Sequence, residues 1–278
     1  MKRMNLLFTL AAFVMVACGQ TPEEKVKAYE ETHDGMMKEY RQMMDSLSTD
    51  PAKAEAYYND FVEKYIAFNL DAAKKNPDNE VAVQVLMNLR GLIDDEQVSE
   101  IISAMPAEML EREDVGALKK GLDARIATSE GKPFVDFTVN SVVGQTRSVP
   151  PQPKYAEVKL SDYVGKGKYI LLDFWSPWCG PCRREMPNIK AVYDKYKGDK
   201  FDVVSIAVWE REPVDVTIET AAKLGMDWNQ INNGGREPAE LYGVEGIPHL
   251  ILFGPDGTIL KRGFHGAEIE EVVSSYVK

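Results

Sequence analysis

Two cysteines three positions apart, Cys179 and Cys182, carry the most reactive side chains whose spacing has an evident chemical use. The apolar run from Tyr169 to Trp175 reads as a buried β-strand, and a short turn after it delivers Cys179-Gly180-Pro181-Cys182 to the start of a helix. Cysteines so spaced in a first helical turn can close a small disulfide. The unpaired N–H groups there favour a negative sulfur, so Cys179 is read as the nucleophile and Cys182 as its partner one turn inward. Pro181 fits a turn in which its missing N–H costs nothing, and Gly180 lets the chain bend. Half of a zinc site is the competing use of such a pair, but it needs two further ligands. Cys18 is the only other cysteine, and His249 and His265 lack the spacing of a ligand pair.

The residues around this unit carry a resemblance. WCGPC, preceded by LLDFW and followed by RREMP, resembles the active-site region of thioredoxin-fold proteins, and REMP is similar to the TlpA/ResA-like thiol-disulfide oxidoreductases. The resemblance implies an α/β thioredoxin-like C-terminal domain with a central mixed sheet flanked by helices. It also implies catalysis by the cysteine pair alone, with no cofactor and no metal. Asp173, in the apolar strand, would be costly as an unpaired carboxylate and should have a raised pKa. It matches the buried thioredoxin aspartate, associated with proton transfer at the inner cysteine, here Cys182. Glu185 follows Cys182 by three residues, can face the same side of the helix, and matches the glutamate of REMP. Ile247-Pro248 before a strand resembles the family's cis-proline loop, which faces the cysteines and offers the Ile247 backbone to an extended substrate. Trp178, Gly180, Pro181 and Ile247 are thereby the substrate-binding candidates, with Trp178 at the rim and Trp175 in the core. His249 departs from the threonine common after that proline.

The beginning of the chain reads as targeting rather than fold. Lys2 and Arg3 precede an apolar stretch, and Val16-Ala17-Cys18 puts small residues before a cysteine, which resembles a bacterial lipoprotein signal over residues 1–17 with Cys18 lipidated. One cysteine then goes to lipid and two to the redox pair, so no structural disulfide remains. The net charge of −11, or −13 once Lys2 and Arg3 are removed, makes nucleic acid a poor partner. It also leaves attachment to a bilayer to acyl chains rather than to charge. The expected setting is the bacterial cell envelope, as a periplasm-facing lipoprotein. Gly19, and the absence of aspartate after Cys18, favour the outer over the inner membrane by analogy.

Residues 18–130 read as an all-α helical domain behind the lipidated terminus, and residues 131–278 as the thioredoxin-like domain. Thr21-Pro22 with Glu24, and Asp50-Pro51, open two long helices. Val26, Tyr29, His33, Met36, Tyr40, Met43 and Leu47 line one face of the first; Ala54, Tyr58, Phe61, Tyr65, Phe68 and Ala72 line one face of the second, so antiparallel packing buries both stripes. Shorter helices are expected over 80–89, 96–105 and 107–126. The histidine and methionines of the first helix could hold copper(I), but a methionine stripe at helical spacing is read as core. In the second domain PFVDFTVNS resembles the family's opening strand. Residues 148–153, SVPPQP, make the next connection long and stiff. A strand over 201–208, a crossover helix over 213–224, a short strand over 228–231, a strand-turn-strand from Gly246 to Arg262 and a final helix over 267–277 complete it.

Three function classes fit these observations. The first is an exported, membrane-anchored reductase of disulfide-containing protein substrates, fed by a membrane or periplasmic electron donor; Gly-Pro between the cysteines resembles the reducing thioredoxins. The second is a disulfide oxidase or isomerase. The third is a tethered binding protein whose disulfide switches affinity. A peroxidase lacks the further cysteine it would need.

Overall fold

The computed structural model describes residues 19–147 and 152–278. The expected signal segment 1–17, Cys18 and residues 148–151 of the proline-rich connection lie outside the described residues. Two compact units divide the chain, Met1–Val115 and Gly116–Lys278.

The first unit is helical. Thr21 caps α1 (Pro22–Ser46) through the Glu24 N–H, and the Glu24 carboxylate returns to the Thr21 N–H. Asp50 caps α2 (Pro51–Lys75) through the Lys53 N–H. The two helices run antiparallel, because partners descend along α2 as they ascend along α1. Tyr29 stacks on Phe68, His33 meets Tyr65, and Tyr40 stacks on Phe61 with ring centroids 4.4 Å apart. The Tyr29 hydroxyl donates to Asn69 at 2.6 Å and accepts from Asn88 at 2.9 Å, which satisfies the polar end of a buried ring. Two details differ from the expected stripe. Tyr58 is exposed and Tyr57 stacks on Tyr40 in its place, and Ala73 rather than Ala72 is buried. Adjacent residues 100° apart on a helix can each border the contact, and only the crossing geometry selects one.

Then come α3 (Glu80–Asn88), α4 (Asp95–Ser103), α5 (Ala107–Leu110) and α6 (Glu113–Ala127). The single helix expected over 107–126 is two, with Arg112 at the break bonded to both Asp114 and Glu80. No helix among the described residues is long and apolar enough to cross a membrane.

The second unit begins earlier than the expected change at residue 131, because most of α6 belongs to it. Lys120 pairs with Glu240, Arg125 with Glu245, and the Thr128 carbonyl accepts from Arg262. Helical periodicity shows that a helix has an apolar face but not which core that face serves. Gly243 lies where α6 passes, at φ +58°, and a Cβ there would stand 2.5 Å from Arg125 Cγ and 2.8 Å from the Gly121 carbonyl. Gly243→Ala is therefore expected to destabilise this unit by about 2–4 kcal/mol, left-handed strain adding to overpacking, read as a lowered urea midpoint in tryptophan fluorescence.

The β-structure forms an antiparallel pair, β1 (Thr138–Gln145) with β2 (Pro153–Lys159), and a five-stranded mixed sheet. In that sheet β3 (Tyr169–Trp175) is central. On one side it runs parallel to β4 (Phe201–Ala207), itself parallel to β5 (Asn229–Ile231); on the other, β6 (His249–Phe253) is antiparallel to β3, and β7 (Ile259–Arg262) is antiparallel to β6. Alternation along β3 sends Ile170, Leu172 and Phe174 into a core with Phe137, Val158, Tyr242 and Phe253. Leu171 and Trp175 face the opposite core. That second core is built with Cys182, Met186 and Ile189 of α7 (Gly180–Tyr196), Ala221 of α8 (Val214–Lys223), and Ile269 and Val273 of α10 (Glu268–Tyr276). Between β5 and β6 lies α9 (Glu237–Leu241).

Candidate active site

The end of β3 and the start of α7 hold the cysteines. The Cys179 N–H bonds the Ser176 carbonyl at 3.0 Å, the Ser176 hydroxyl donates to the Val208 carbonyl at 2.6 Å, and the Val208 N–H returns to the Trp175 carbonyl. These bonds tie the redox turn to the loop after β4. Cys179 is the N-cap of α7: its Sγ accepts the Cys182 N–H at 3.1 Å, in the way a serine oxygen caps a helix. Cys179 and Cys182 are joined as a disulfide, and both are buried. Gly180 and Pro181 are exposed beside them in the first turn. The Cys179 sulfur lies 3.5 Å from the Ile247 carbonyl, and the Ile247-Pro248 peptide is cis. The turn, the helix start and the proline loop thus converge on one sulfur.

Asp173 is fully buried, and its alternation on β3 puts it on the face that carries Leu171, Trp175 and Cys182. Its Oδ2 accepts from the Ser205 hydroxyl at 2.8 Å, whereas Oδ1 is buried without a partner. Burial is the main cause that pushes this acid up to about 7; the Ser205 bond opposes the rise and the Glu185 charge adds to it. Glu185 is half-buried on α7, where Oε1 accepts from the Gly266 N–H at 3.0 Å and from the Asn188 amide at 2.8 Å. Its carboxylate is therefore fixed rather than loose on a solvated helix face.

Trp178 forms the rim. Its Nε1 donates to the Trp209 carbonyl at 3.0 Å, and the Arg211 guanidinium stacks 3.8 Å from the ring centroid. Arg183 and Arg184 are exposed. Behind Pro248, His249 Nε2 lies 3.3 Å from Arg262 Nη2. A guanidinium can only donate, so this ring nitrogen accepts and the histidine is neutral. Burial and the Arg262 charge hold its pKa down at about 3. Arg262 also donates to the Tyr242 carbonyl and to the Thr128 hydroxyl and carbonyl, linking the proline loop to the end of α6.

Sequence reasoning missed Ser205, Trp228, Arg211 and Arg262. Only Ser205 carried a signal, as a lone hydroxyl within the apolar strand FDVVSIAV. The first unit has an open cleft of about 510 Å³ lined by, among others, His33, Asp34, Glu80, Met87 and Asn88. Among the described residues, no three histidine, cysteine or carboxylate side chains stand together as a metal-holding group.

Residues 131–262 match the model of the AhpC/TSA family. The thiol-disulfide oxidoreductase ResA of Bacillus thuringiensis subsp. konkukian is 26% identical over 149 residues, covering 53% of this chain and 76% of that protein. ResA of Bacillus subtilis (strain 168) is 27% identical over 150 residues, covering 54% and 74%. The crystal structure of the thioredoxin domain of a thiol-disulfide oxidoreductase from Bacteroides vulgatus aligns with 54% of this chain and 99% of its own, at 25% identity and a TM-score of 0.45.

Proposed function

We infer that this chain, a thioredoxin-fold thiol-disulfide oxidoreductase whose residues 131–262 belong to the AhpC/TSA family, works as an exported, membrane-anchored reductase of protein disulfides. The observation that carries the chemistry is the convergence of the Cys179 sulfur, the α7 N-terminus and the Ile247 carbonyl. In the reduced protein the Cys179 thiolate attacks a substrate disulfide. One substrate sulfur leaves as a thiolate, the other becomes bonded to Cys179, and Cys182 then attacks Cys179 Sγ to release it. The internal disulfide that results is the form seen here. An electron donor in the membrane or periplasm must reduce it for another turnover.

Each remaining residue has a role in this scheme. Asp173 takes the Cys182 proton, since it is the ionisable group buried on that side of the sheet with a pKa near neutrality. Glu185 adds negative potential that keeps Asp173 basic. The Ile247 backbone, Pro248 and Trp178 present a surface for an extended substrate segment, with Gly180 and Pro181 exposed beside the cysteine pair. Cys18, through its acyl chains, holds the protein on an envelope membrane, the outer membrane being favoured over the inner by Gly19 and the absence of aspartate after Cys18. The helical unit serves as a spacer, a dimerisation surface or a substrate-selecting surface.

Direction is tested by the equilibrium reduction potential of the Cys179/Cys182 pair. A value near about −270 mV, that of thioredoxin, supports a reductase; one near about −120 mV, that of a strong oxidant, makes the protein a disulfide donor instead.

A further inference from the structure

The hydrogen bonds around Asp173 have a fixed direction. The Trp228 indole N–H lies 2.8 Å from Ser205 Oγ, and an indole nitrogen can only donate. Ser205 Oγ lies 2.8 Å from Asp173 Oδ2. With one of its lone pairs taken by Trp228, the serine can still donate its own hydrogen to Oδ2. The opposite arrangement, a proton on Oδ2 donated to the serine, would leave the serine hydrogen buried with no acceptor. Oδ2 is therefore an acceptor whether the acid is neutral or ionised, and the titrating proton belongs on Oδ1. That oxygen is buried and has no partner, on the face of the sheet shared with Cys182.

We propose that Ser205 and Trp228 are positioning residues for the exchange reaction: acting through Asp173, they reserve Oδ1 as the atom that accepts the Cys182 proton. This rests on the reading of Asp173 as the proton acceptor. In the resolving step the proton passes from the Cys182 thiol to Oδ1. The Cys182 sulfur bonds to Cys179, the bond from Cys179 to the substrate sulfur breaks, and the substrate leaves as a thiolate. Ser205 stabilises the carboxylate before it takes the proton, and Trp228 prevents the serine from turning to accept instead.

The groups facing Asp173 are few. Cys182 and the Glu185 charge come from α7, Ser205 from β4, Trp228 from the residue before β5, and the apolar Leu250 from β6 directly opposite; α10 contributes Ile269 and Val273 to this core. Removing the serine hydrogen bond deletes the influence that lowers the pKa of the acid and leaves burial and the Glu185 charge to raise it unopposed.

The test follows the resolving step in the full lipidated chain, in which the Cys18 sulfur carries lipid and releases no nitrothiolate. Reduced protein is mixed with the aromatic disulfide 5,5′-dithiobis(2-nitrobenzoate); the first nitrothiolate released reports attack by Cys179, the second reports closure by Cys182. Ser205→Ala is expected to raise the pH midpoint of the second release by about one unit, a tenfold loss of rate below the midpoint. Ser205→Thr is expected to restore the midpoint, and Trp228→Phe to raise it by less. The first release keeps its pH profile in all three. A wild-type midpoint in Ser205→Ala overturns the proposal while leaving Asp173 its role, provided Asp173→Asn abolishes the midpoint; persistence of the midpoint in Asp173→Asn overturns both. Should Ser205→Ala fail to fold, Trp228→Phe decides: an upward shift supports the proposal, and an unchanged midpoint overturns it.

Discussion

Cys179→Ser is expected to lose disulfide-exchange activity by more than about three orders of magnitude, because a serine hydroxyl at neutral pH replaces the attacking sulfur at the α7 N-terminus. Cys182→Ser is expected to fail differently. Cys179 is the N-cap and lies against the Ile247 carbonyl, whereas Cys182 sits in the third position of α7 with no exposed surface. A protein without Cys182 can still make the mixed disulfide but cannot resolve it, so covalent adducts with substrate should accumulate and be visible by non-reducing electrophoresis. The pair of variants separates the nucleophile from the resolving group. Adducts trapped by Cys179→Ser, and none by Cys182→Ser, would reverse the assignment. If binding rather than turnover were the main activity, partner retention would survive in both variants, and reduction of insulin by dithiothreitol would be no faster with the wild-type protein than without it.

The parts of this protein that were legible in its sequence are those whose signals are local. The run Tyr169–Trp175 is β3 to the residue, since a strand buried on both faces has no polar alternation to blur its ends. Thr21 and Asp50 announced α1 and α2, because a cap and its N–H lie within three residues of each other. The cysteine pair and Ile247-Pro248 were identifiable as short motifs, and folding brought them within 3.5 Å. Features that depend on register or crossing were not legible. Ser205 stands beside Asp173 because β3 and β4 pair in parallel with those two residues in register. Trp228 reaches Ser205 only because a third strand begins where β5 does. Arg211 meets Trp178 across a loop whose Trp209 adopts φ +55°, a conformation no side-chain type announces. The allegiance of α6 to the second unit was hidden for the same reason, resting on Glu240, Glu245 and Arg262, far along the chain.

Asp173 and His249 make the stability of the oxidised second unit depend on pH in opposite directions. Asp173 has a pKa of about 7 in the folded protein, well above the usual carboxylate value. Between that usual value near 4 and 7, the folded chain therefore holds a proton that the unfolded chain has lost, and stability falls as pH rises. His249 is the reverse case. Its folded pKa of about 3 lies below the usual imidazole value near 6.5, so over that interval the unfolded chain binds the extra proton and stability falls as pH drops. Each slope has a limit of about 1.4 kcal/mol per pH unit. The histidine ring is only half-buried, which weakens its term against that of the fully buried aspartate. Asp173→Asn is expected to remove the falling limb, making the unit more stable than wild type by a few kcal/mol at neutral pH and no more stable near pH 4. His249→Gln should remove the rising limb, leaving a variant whose stability declines steadily from about pH 4 to about pH 7. Urea unfolding of the disulfide form, followed by tryptophan fluorescence, measures both, since the four tryptophans all lie in this unit. Comparing each variant with wild type at each pH cancels the contribution of the surface carboxylates. Parallel stability curves for Asp173→Asn and wild type would show that the acid titrates at the same pH in the folded as in the unfolded chain, and the proton-accepting role given to it would then have no basis.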